Sequence, residues 1–179
     1  PLKQLFRFLT HGTGSAAMRD LHQLSIEALR DYFAVSEKEG VISSAQSRMM
    51  DNATSMHKVP VRTLMTPFKK VPRLSIRATV GDYKRLVARR GESYAVLVEK
   101  HQVVAILSIF SVVKRRLEDD QPLRPYAEDV LLVEENRNIK SVFYRLRRNP
   151  FHCAVVVDAR KNPVGFIRME DVARYIATN

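Results

Sequence analysis

The hydrophobic residues between positions 21 and 56 recur at intervals of three and four, which is the spacing of one face of an α-helix. Ser25 is a residue type that caps helix N-termini, and Gly40 is one that ends helices, so these two residues bound a first predicted helix. Ser43 or Ser44 can cap a second helix that ends before Pro60. The positions predicted to lie on the buried side are Ile26, Leu29, Tyr32 and Phe33 in the first helix and Met49, Met50 and Ala53 in the second.

From residue 59 onward the pattern changes to short β-branched runs that alternate with helical segments, and this pattern occurs twice. Residues 79–98 align without a gap onto residues 138–157 at an offset of 59. After one inserted residue, 104–112 align onto 164–172 at an offset of 60. Each copy predicts a short strand, a capped helix, a buried strand, a turn, a second strand and a second helix.

Two such β-α-β-β-α repeats predict an α+β fold of an α/β-like kind. Thr79 and Asn138 stand before the first helix of each copy and are predicted to cap it. A unit of roughly 55 residues seldom buries enough surface to be stable alone, so the two copies are expected to share a core. We therefore predict two repeats packed as one pseudo-symmetric module, preceded by an α-helical segment.

The first 20 residues differ from the rest of the chain. They begin with an amphipathic run and continue with Gly12, Gly14 and Ser15, which are typical of a flexible joint. We interpret this segment as a tether. The predicted organisation is a tether at 1–20, a helical linker at 21–58, a first repeat at 59–120 and a second repeat at 121–179.

Composition places the chain among globular proteins, since 45% of its 179 residues are hydrophobic. Its single cysteine, Cys153, cannot form an internal disulfide, which favours a reducing setting. The longest apolar runs, such as 103–110, are far shorter than the ~20 residues that cross a bilayer.

The formal net charge is +11, and residues 59–179 hold 23 of the 30 basic and 13 of the 19 acidic residues. Such an excess favours nucleic acid, an anionic membrane or a phosphorylated ligand as partner.

No group of residues predicts catalysis. The chain has no glycine-rich phosphate loop, no nucleophile elbow and no pair of carboxylates placed as acid and base, so we predict that it is not an enzyme. Its five histidines lack the spacing of metal ligands, and no direct metal site is expected. The basic clusters fall at predicted helix ends with few aromatic residues nearby, so nucleic acid is not an expected partner.

Two segments of the repeat resemble a known family. Residues 61–67 lead the first copy and residues 165–171 close the second, and in this tandem arrangement they resemble a pair of cystathionine-beta-synthase (CBS) domains. With the helical lead-in at 24–30 and 37–42, the resemblance narrows to the cytosolic region of CorC/HlyC-type hemolysin-like proteins, the magnesium and cobalt efflux family. It covers about residues 21–176.

The resemblance implies a regulatory module. Such CBS pairs bind an adenine nucleotide, ATP with Mg²⁺, in a cleft between the repeats, and the metal is held through the nucleotide phosphates.

In the family a multi-pass transmembrane domain precedes this region. The resemblance therefore implies a transmembrane partner domain, a location at the cytoplasmic face of the membrane and a juxtamembrane role for the tether. It also implies a homodimer through the CBS pair and control of an attached divalent-cation transporter. A second hypothesis stays open, in which the pair binds no ligand and only dimerises the membrane protein.

The resemblance also points to particular residues. The family motif of glycine, two apolar residues, Ser or Thr, two residues and Asp falls on 165–171, and it implies that Asp171 contacts the ribose. Arg168 departs from the motif at the Ser or Thr position. It removes the hydroxyl and a good N-cap, yet it supplies a fork of donors suited to phosphate oxygens, so the change either strengthens the site or abolishes it. The other walls implied for this nucleotide site are Thr66, Pro67 and Tyr94.

The first repeat lacks two residues of the same motif. Ala105 stands at the glycine position and Ser111 at the aspartate position, although Ser108 keeps the hydroxyl. Without the aspartate, the first repeat loses the implied ribose ligand. The sequence therefore predicts one nucleotide site at most.

Overall fold

The computed structural model describes residues 14–178, which divide into two compact units. Residues 14–55 and 176–178 form one unit, and residues 56–175 form the other.

The first unit contains two helices, α1 (Gly14–Lys38) and α2 (Ser44–Ser55). The prediction that Ser25 caps the first helix is wrong, because Ser25 lies inside α1. The residues from Gly14 to Ser25 include no proline, so nothing interrupts the helix there. Gly14 and Ser15, predicted as part of a flexible joint, begin this helix instead. The amphipathic run and Gly12 lie outside the described residues.

The boundary between the two helices agrees with the prediction. Gly40 adopts a φ of +72°, which only glycine adopts without strain, and the N–H of Val41 donates to the carbonyl of Ser36 at 2.9 Å. Ser43 and Gln46 form a reciprocal capping box, in which each side chain accepts a hydrogen bond from the backbone N–H of the other. Ser43 is therefore the cap of α2.

The burial predicted for these helices is only partly confirmed. Ile26 and Phe33 are half-buried, whereas Leu29 is 46% exposed and Tyr32 is 67% exposed. In α2, Met50 is half-buried and both Met49 and Ala53 are exposed. Two helices that pack on each other can bury only a narrow stripe of each, so the remaining apolar positions stay in solvent.

The second unit contains the two predicted repeats, and each has the predicted β-α-β-β-α order. A short strand, β1 (Thr66–Pro67), comes first. The first repeat has β2 (Arg73–Ser75), α3 (Val80–Arg90), β3 (Tyr94–Glu99), β4 (Gln102–Ser108) and α4 (Ile109–Val113). The second repeat has β5 (Leu132–Glu134), α5 (Ile139–Arg148), β6 (Cys153–Val157), β7 (Pro163–Arg168) and α6 (Met169–Thr178).

The strand pairing repeats along with the sequence. In the sheet β2-β3-β4, the first pair is parallel and the second antiparallel, and the same holds for β5-β6-β7. The register shifts between Leu97 and Val98 in one sheet and between Val156 and Val157 in the other. These two irregularities are 59 residues apart, which is the sequence offset of the repeat. The pseudo-symmetry therefore extends to backbone detail.

The two repeats exchange their leading segments. Strand β1 precedes the first repeat but joins the second sheet, where Thr66 pairs with Phe166 and Pro67 with Gly165. In turn, Glu128 precedes β5 but bridges to Ile106 of the first sheet through two hydrogen bonds of 2.9 Å. Each leading segment thus pairs with an edge of the other repeat's sheet, which links the repeats through the backbone.

The core and the helix caps follow the predicted pattern. Thr79 forms a capping box with Asp82, and the side chain of Asn138 accepts from the N–H of Ser141. One buried cluster draws side chains from both repeats, among them Ile106 and Phe166. The predicted α+β fold with a shared core is confirmed.

Candidate functional site

A cleft of about 420 Å³ lies between the two repeats. It sits where β3 and β6 begin and where α4 and α6 begin, so both copies contribute the same part of the fold. We call it the Arg168 cleft. Its residues form equivalent pairs under the repeat: Ser93 with His152, Tyr94 with Cys153, Ser108 with Arg168, and Phe110 with Glu170.

The side chain of Arg168 lies close to several charged and aromatic groups of this cleft. It ends β7 at the N-terminus of α6 and is 27% exposed. Its guanidinium forms a salt bridge with Glu170, lies 3.4 Å from the carboxylate of Asp171 and 4.0 Å from that of Glu92. The same group lies 5.9 Å from the ring centroid of Tyr94. Three carboxylates and one aromatic ring thus surround a single cation.

The pKa values of the cleft residues follow from this arrangement. Burial works to lower the pKa of Arg168, but Tyr94, Asp171 and Glu170 outweigh it, so the pKa is raised and the guanidinium stays charged. Burial raises the pKa of the Tyr94 hydroxyl well above its ordinary value, although Arg168 opposes the shift. Tyr94 therefore remains a neutral donor and acceptor at physiological pH.

Asp171 lies behind Arg168 and is buried. Its Oδ2 accepts a hydrogen bond of 2.9 Å from the backbone N–H of Arg168, in the manner of Asp82 with the N–H of Thr79 in α3. Asp171 therefore supplies half of a capping box, and Arg168 has no hydroxyl to complete the other half. The carboxylate both stabilises the start of α6 and orients the guanidinium at the cleft.

The equivalent position of the first repeat is built differently. Ser108 caps α4 through a hydrogen bond from the N–H of Phe110 at 3.3 Å. Ser111 stands where the second repeat has Asp171, so the start of α4 has no carboxylate equivalent to that of Asp171. The cleft is therefore symmetric in backbone and asymmetric in charge.

The predicted site residues fall at three depths around this cleft. Tyr94 and Arg168 line it, and Asp171 lies one contact behind Arg168. Thr66 and Pro67 are not among the lining residues; they lie on β1, beside β7. A stacked pair connects the two regions, because the ring of Tyr94 lies 4.7 Å from that of Phe166, which pairs with Thr66.

The glycine of the predicted motif has a packing role in this structure. A Cβ at position 165 would overlap the Sδ of Met65 and lie 2.7 Å from its Cγ. Met65 therefore covers the backbone of β7 at this residue, and a side chain there would displace it. Glycine at position 165 therefore leaves the space that the side chain of Met65 fills.

The sequence analysis missed several residues of the cleft. Glu92 and Glu170 meet Arg168 there, Phe110 is 76% exposed at the mouth, and Cys153 is buried in the wall. Burial raises the pKa of the Cys153 thiol to about 12, so the thiol stays protonated. The repeat offset itself could have revealed these positions, since it pairs Glu170 with Phe110 and Cys153 with Tyr94.

Comparisons with known proteins identify the class. Residues 126–178 match the family model described as the CBS domain. The second repeat is therefore a CBS domain, and the two repeats together have the fold of a CBS pair. Two solved structures with this fold are the CBS domain of a bacterial CNNM/CorC family Mg²⁺ transporter and the same domain in complex with ATP.

Both structures are 24% identical in sequence to this chain. The first gives a TM-score of 0.80, with 86% of this chain and 96% of that chain covered. The ATP complex gives a TM-score of 0.69, with 73% of this chain and 96% of that chain covered. The predicted resemblance to a tandem CBS pair of the CorC/HlyC type is confirmed by these matches.

A curated relative is the UPF0053 protein MG146 of Mycoplasma genitalium, 24% identical over 140 residues. The match covers 76% of this chain and 33% of that protein, so the chain spans about a third of the relative's length. Within residues 14–178, no helix is both long and apolar enough to span a bilayer. The same residues contain no group of three or more His, Cys, Asp or Glu side chains placed to hold a metal ion.

Proposed function

We propose that this chain is a non-catalytic regulatory module that binds an adenine nucleotide, ATP with Mg²⁺, in the Arg168 cleft. The observation that carries the proposal is the Arg168 guanidinium, held at the N-terminus of α6 by the buried Asp171. The CBS domain of a bacterial CNNM/CorC family Mg²⁺ transporter, which has the same fold, was solved in complex with ATP. That likeness supports an adenine nucleotide as the ligand class.

The chemistry of the cleft residues suits a nucleotide. The N–H groups at the start of α6 and the fork of donors on Arg168 both attract phosphate oxygens. Asp171 offers two acceptor oxygens to ribose hydroxyls, and Tyr94 offers an aromatic face to a base. Glu92 and Glu170 oppose a bare polyphosphate. Mg²⁺ bound to the phosphates would reduce the negative charge that faces these two carboxylates.

The asymmetry of the cleft argues for one nucleotide per chain. Arg168 and Asp171 both come from the second repeat, and the first repeat offers Ser108 and Ser111 in their places. A hydroxyl cannot hold both ribose oxygens as a carboxylate can. A single nucleotide site in the second repeat follows.

Regulation requires that the module be connected to the protein that it controls. We propose a tether at 1–20, within which α1 begins at Gly14, a helical linker at 21–58, and repeats at 59–120 and 121–179. We propose that the tether attaches the module to the transmembrane domain of a divalent-cation transporter at the cytoplasmic face of the membrane. Homodimerisation through the CBS pair is supported by exposed apolar residues on α4, where Phe110 and Val113 are 76% and 66% exposed. The nucleotide binds one relative arrangement of the repeats, or of the two modules in the dimer, more tightly than the other. Its binding therefore favours that arrangement and in this way controls the transporter.

A second candidate function is a ligand-free dimerisation module. It is favoured by the contacts that Arg168 and Asp171 already make, because three carboxylates neutralise the guanidinium and Asp171 caps α6. In that case the contacts of the cleft residues only stabilise the fold, and the exposed apolar face of α4 mediates dimerisation.

Isothermal titration with ATP and Mg²⁺ tests the proposal and separates it from the alternative. The wild type is expected to bind, and Asp171→Ala is expected to lose binding. Asp82→Ala is the matched control, since Asp82 caps α3 by the same contact outside the cleft. Binding lost in Asp171→Ala and kept in Asp82→Ala supports the site. Wild-type protein that gives no heat and no rise in melting temperature with any adenine nucleotide would leave the dimerisation module as the function.

A further inference from the structure

A second cleft between the two repeats lies at the opposite end of the same strands. It has a volume of about 610 Å³. Lys100 and His101 form the turn between β3 and β4 on one side, and Asn162 and Pro163 end the turn between β6 and β7 on the other. Phe68 and Arg73 complete the wall. We call this space the turn cleft.

The residues that line the turn cleft carry positive charge, whereas Glu99, next to Lys100 at the end of β3, is not among them. Arg73, Lys100 and His101 are among its lining residues, and those residues include no Asp or Glu. Among the side chains that the structure describes, neither Arg73 nor Lys100 forms a salt bridge. The guanidinium of Arg73 lies 5.4 Å from the ring centroid of Phe68 and donates to the backbone carbonyl of Lys69 at 3.4 Å. The Arg168 cleft, by contrast, has its cation surrounded by carboxylates.

Two carboxylates on neighbouring elements, those of Glu134 and Asp158, already have partners of their own. Glu134 of β5 accepts a hydrogen bond of 3.0 Å from the ammonium of Lys161. Asp158 accepts a hydrogen bond of 3.0 Å from the side-chain amide of Asn162 and hydrogen bonds of 2.8 Å from the backbone N–H groups of Asn162 and Arg160. These hydrogen bonds lower the pKa of both carboxyl groups, so both negative charges are already held by their own partners. They do not neutralise Arg73 or Lys100.

The turn that carries two of the basic residues has an unfavourable conformation for its sequence. Glu99 pairs with Gln102, and the two residues between them, Lys100 and His101, have φ angles of +45° and +69°. Positive φ at both central residues is the type I′ hairpin turn, for which Asn-Gly is the favoured pair. The chain keeps two long basic side chains at positions where local stability favours Asn and Gly. Strained residues of this kind often mark functional sites.

We propose that the turn cleft binds a small anion that carries several phosphate groups, either free in solution or as a lipid headgroup. Arg73 presents a planar fork of donors, Lys100 presents a mobile ammonium, and both face one space that lacks a countercharge. The proposal is independent of the nucleotide site, because the two clefts share no lining residue. It gives part of the positive charge of residues 59–179 a specific role.

Titration of tripolyphosphate without Mg²⁺, followed by calorimetry, tests the site. Arg73→Ala/Lys100→Ala is expected to weaken binding by about tenfold or more, since two charged hydrogen-bond donors to phosphate are lost. Arg147→Ala/Arg148→Ala removes the same charge from the end of α5 and should change the affinity less than about twofold. Equal losses in the two double variants would show nonspecific attraction and overturn the site. A loss in Arg168→Ala alone would assign the anion to the Arg168 cleft and also overturn it.

A second variant keeps the test valid if the alanine variant folds poorly. Lys100→Asn/His101→Gly installs the favoured pair for this turn, so it should melt at a higher temperature than the wild type and still bind tripolyphosphate more weakly. Unchanged or tighter binding would contradict the proposal. MgATP binding should be the same in this variant as in the wild type, which separates this site from the nucleotide site.

Vesicle sedimentation distinguishes a lipid headgroup from a soluble anion as the ligand. Wild-type protein is incubated with vesicles of phosphatidylcholine alone or with added phosphatidylinositol 4,5-bisphosphate. Sedimentation that requires the phosphoinositide and is lost in Lys100→Asn/His101→Gly supports the site with a lipid headgroup as ligand. Binding of tripolyphosphate without sedimentation supports it with a soluble ligand. Protein that binds neither probe has no such site.

Discussion

The carboxylate of Asp171 accepts a hydrogen bond of 2.9 Å from the backbone N–H of Arg168 and lies 3.4 Å from the guanidinium of the same residue. One side chain therefore begins helix α6 and positions the cation of the cleft. Under the proposed function, the folding stability of the second repeat and its affinity for nucleotide phosphate depend on the same contact. Variants at this residue must be measured for both properties.

Asp171→Ala is expected to lower the free energy of unfolding by about 1 kcal/mol, because the first turn of α6 loses its carboxylate cap. Asp171→Asn keeps an oxygen that can accept from the N–H of Arg168 and should recover most of the loss. Urea unfolding followed by circular dichroism measures both variants. Wild-type stability in Asp171→Ala would mean that the capping contact contributes nothing.

Glu170→Gln is expected to tighten ATP binding by about two- to fivefold, the effect of removing one partly exposed ion pair from Arg168. The phosphates then compete with one carboxylate fewer for the guanidinium. The gain should be larger without Mg²⁺, since the metal already offsets part of the negative charge of the cleft.

Glu118→Gln is the matched control for this prediction. Glu118 is exposed on the segment between the repeats and is not among the residues that line the Arg168 cleft. It changes the net charge by the same amount. Equal gains in the two variants would assign the effect to overall charge, and a weaker binding in Glu170→Gln would contradict the competition between Glu170 and phosphate.

Gly165→Ala is expected to destabilise the protein by about 1–3 kcal/mol, because the added methyl group must displace Met65 from the backbone of β7. A Met65→Ala substitution in the same protein should relieve the overlap and make the Gly165→Ala change less costly. Thermal unfolding of the two single variants and the double variant measures this coupling. Strictly additive effects would show that Met65 does not set the requirement for glycine.

The buried thiol of Cys153 is expected to make the free energy of unfolding depend on pH above pH 9. Its thiol has a pKa of about 12 in the folded protein against an ordinary value of 9.0, so above pH 9 the unfolded chain releases a proton that the folded protein retains. This contribution is fully present below pH 9 and is lost as the pH rises toward 12. Wild-type protein should therefore lose more stability over this range than Cys153→Ala. Equal slopes of unfolding free energy against pH would contradict the buried neutral thiol.

The repeat could be predicted from the sequence because its signals are local. Helical and strand periods lie within short windows, and the caps Thr79 and Asn138 act on the residues that follow them. The offset of 59 residues then predicted that both copies share one fold, and even the register shift in the two sheets obeys it. Local pattern and internal repetition together were sufficient for the α+β architecture.

The pairing of distant segments was not predictable from local pattern. Thr66 pairs with Phe166 of the other repeat, and this exchange moves Thr66 and Pro67 onto a strand next to the cleft rather than into its lining. The carboxylate of Glu92 reaches Arg168 only after the two repeats pack together. Leu29 shows the limit of a helical pattern, since its position on an apolar stripe did not determine what would cover it.

The most direct test of the account is a crystal structure of the protein grown with ATP and Mg²⁺. We expect nucleotide density in the Arg168 cleft, with phosphate oxygens at the guanidinium of Arg168 and the ribose at the carboxylate of Asp171. Glu170 should then have left its salt bridge with Arg168. A cleft that keeps the Arg168 salt bridges to Glu170 and Asp171 and holds no nucleotide under these conditions would contradict the proposed function.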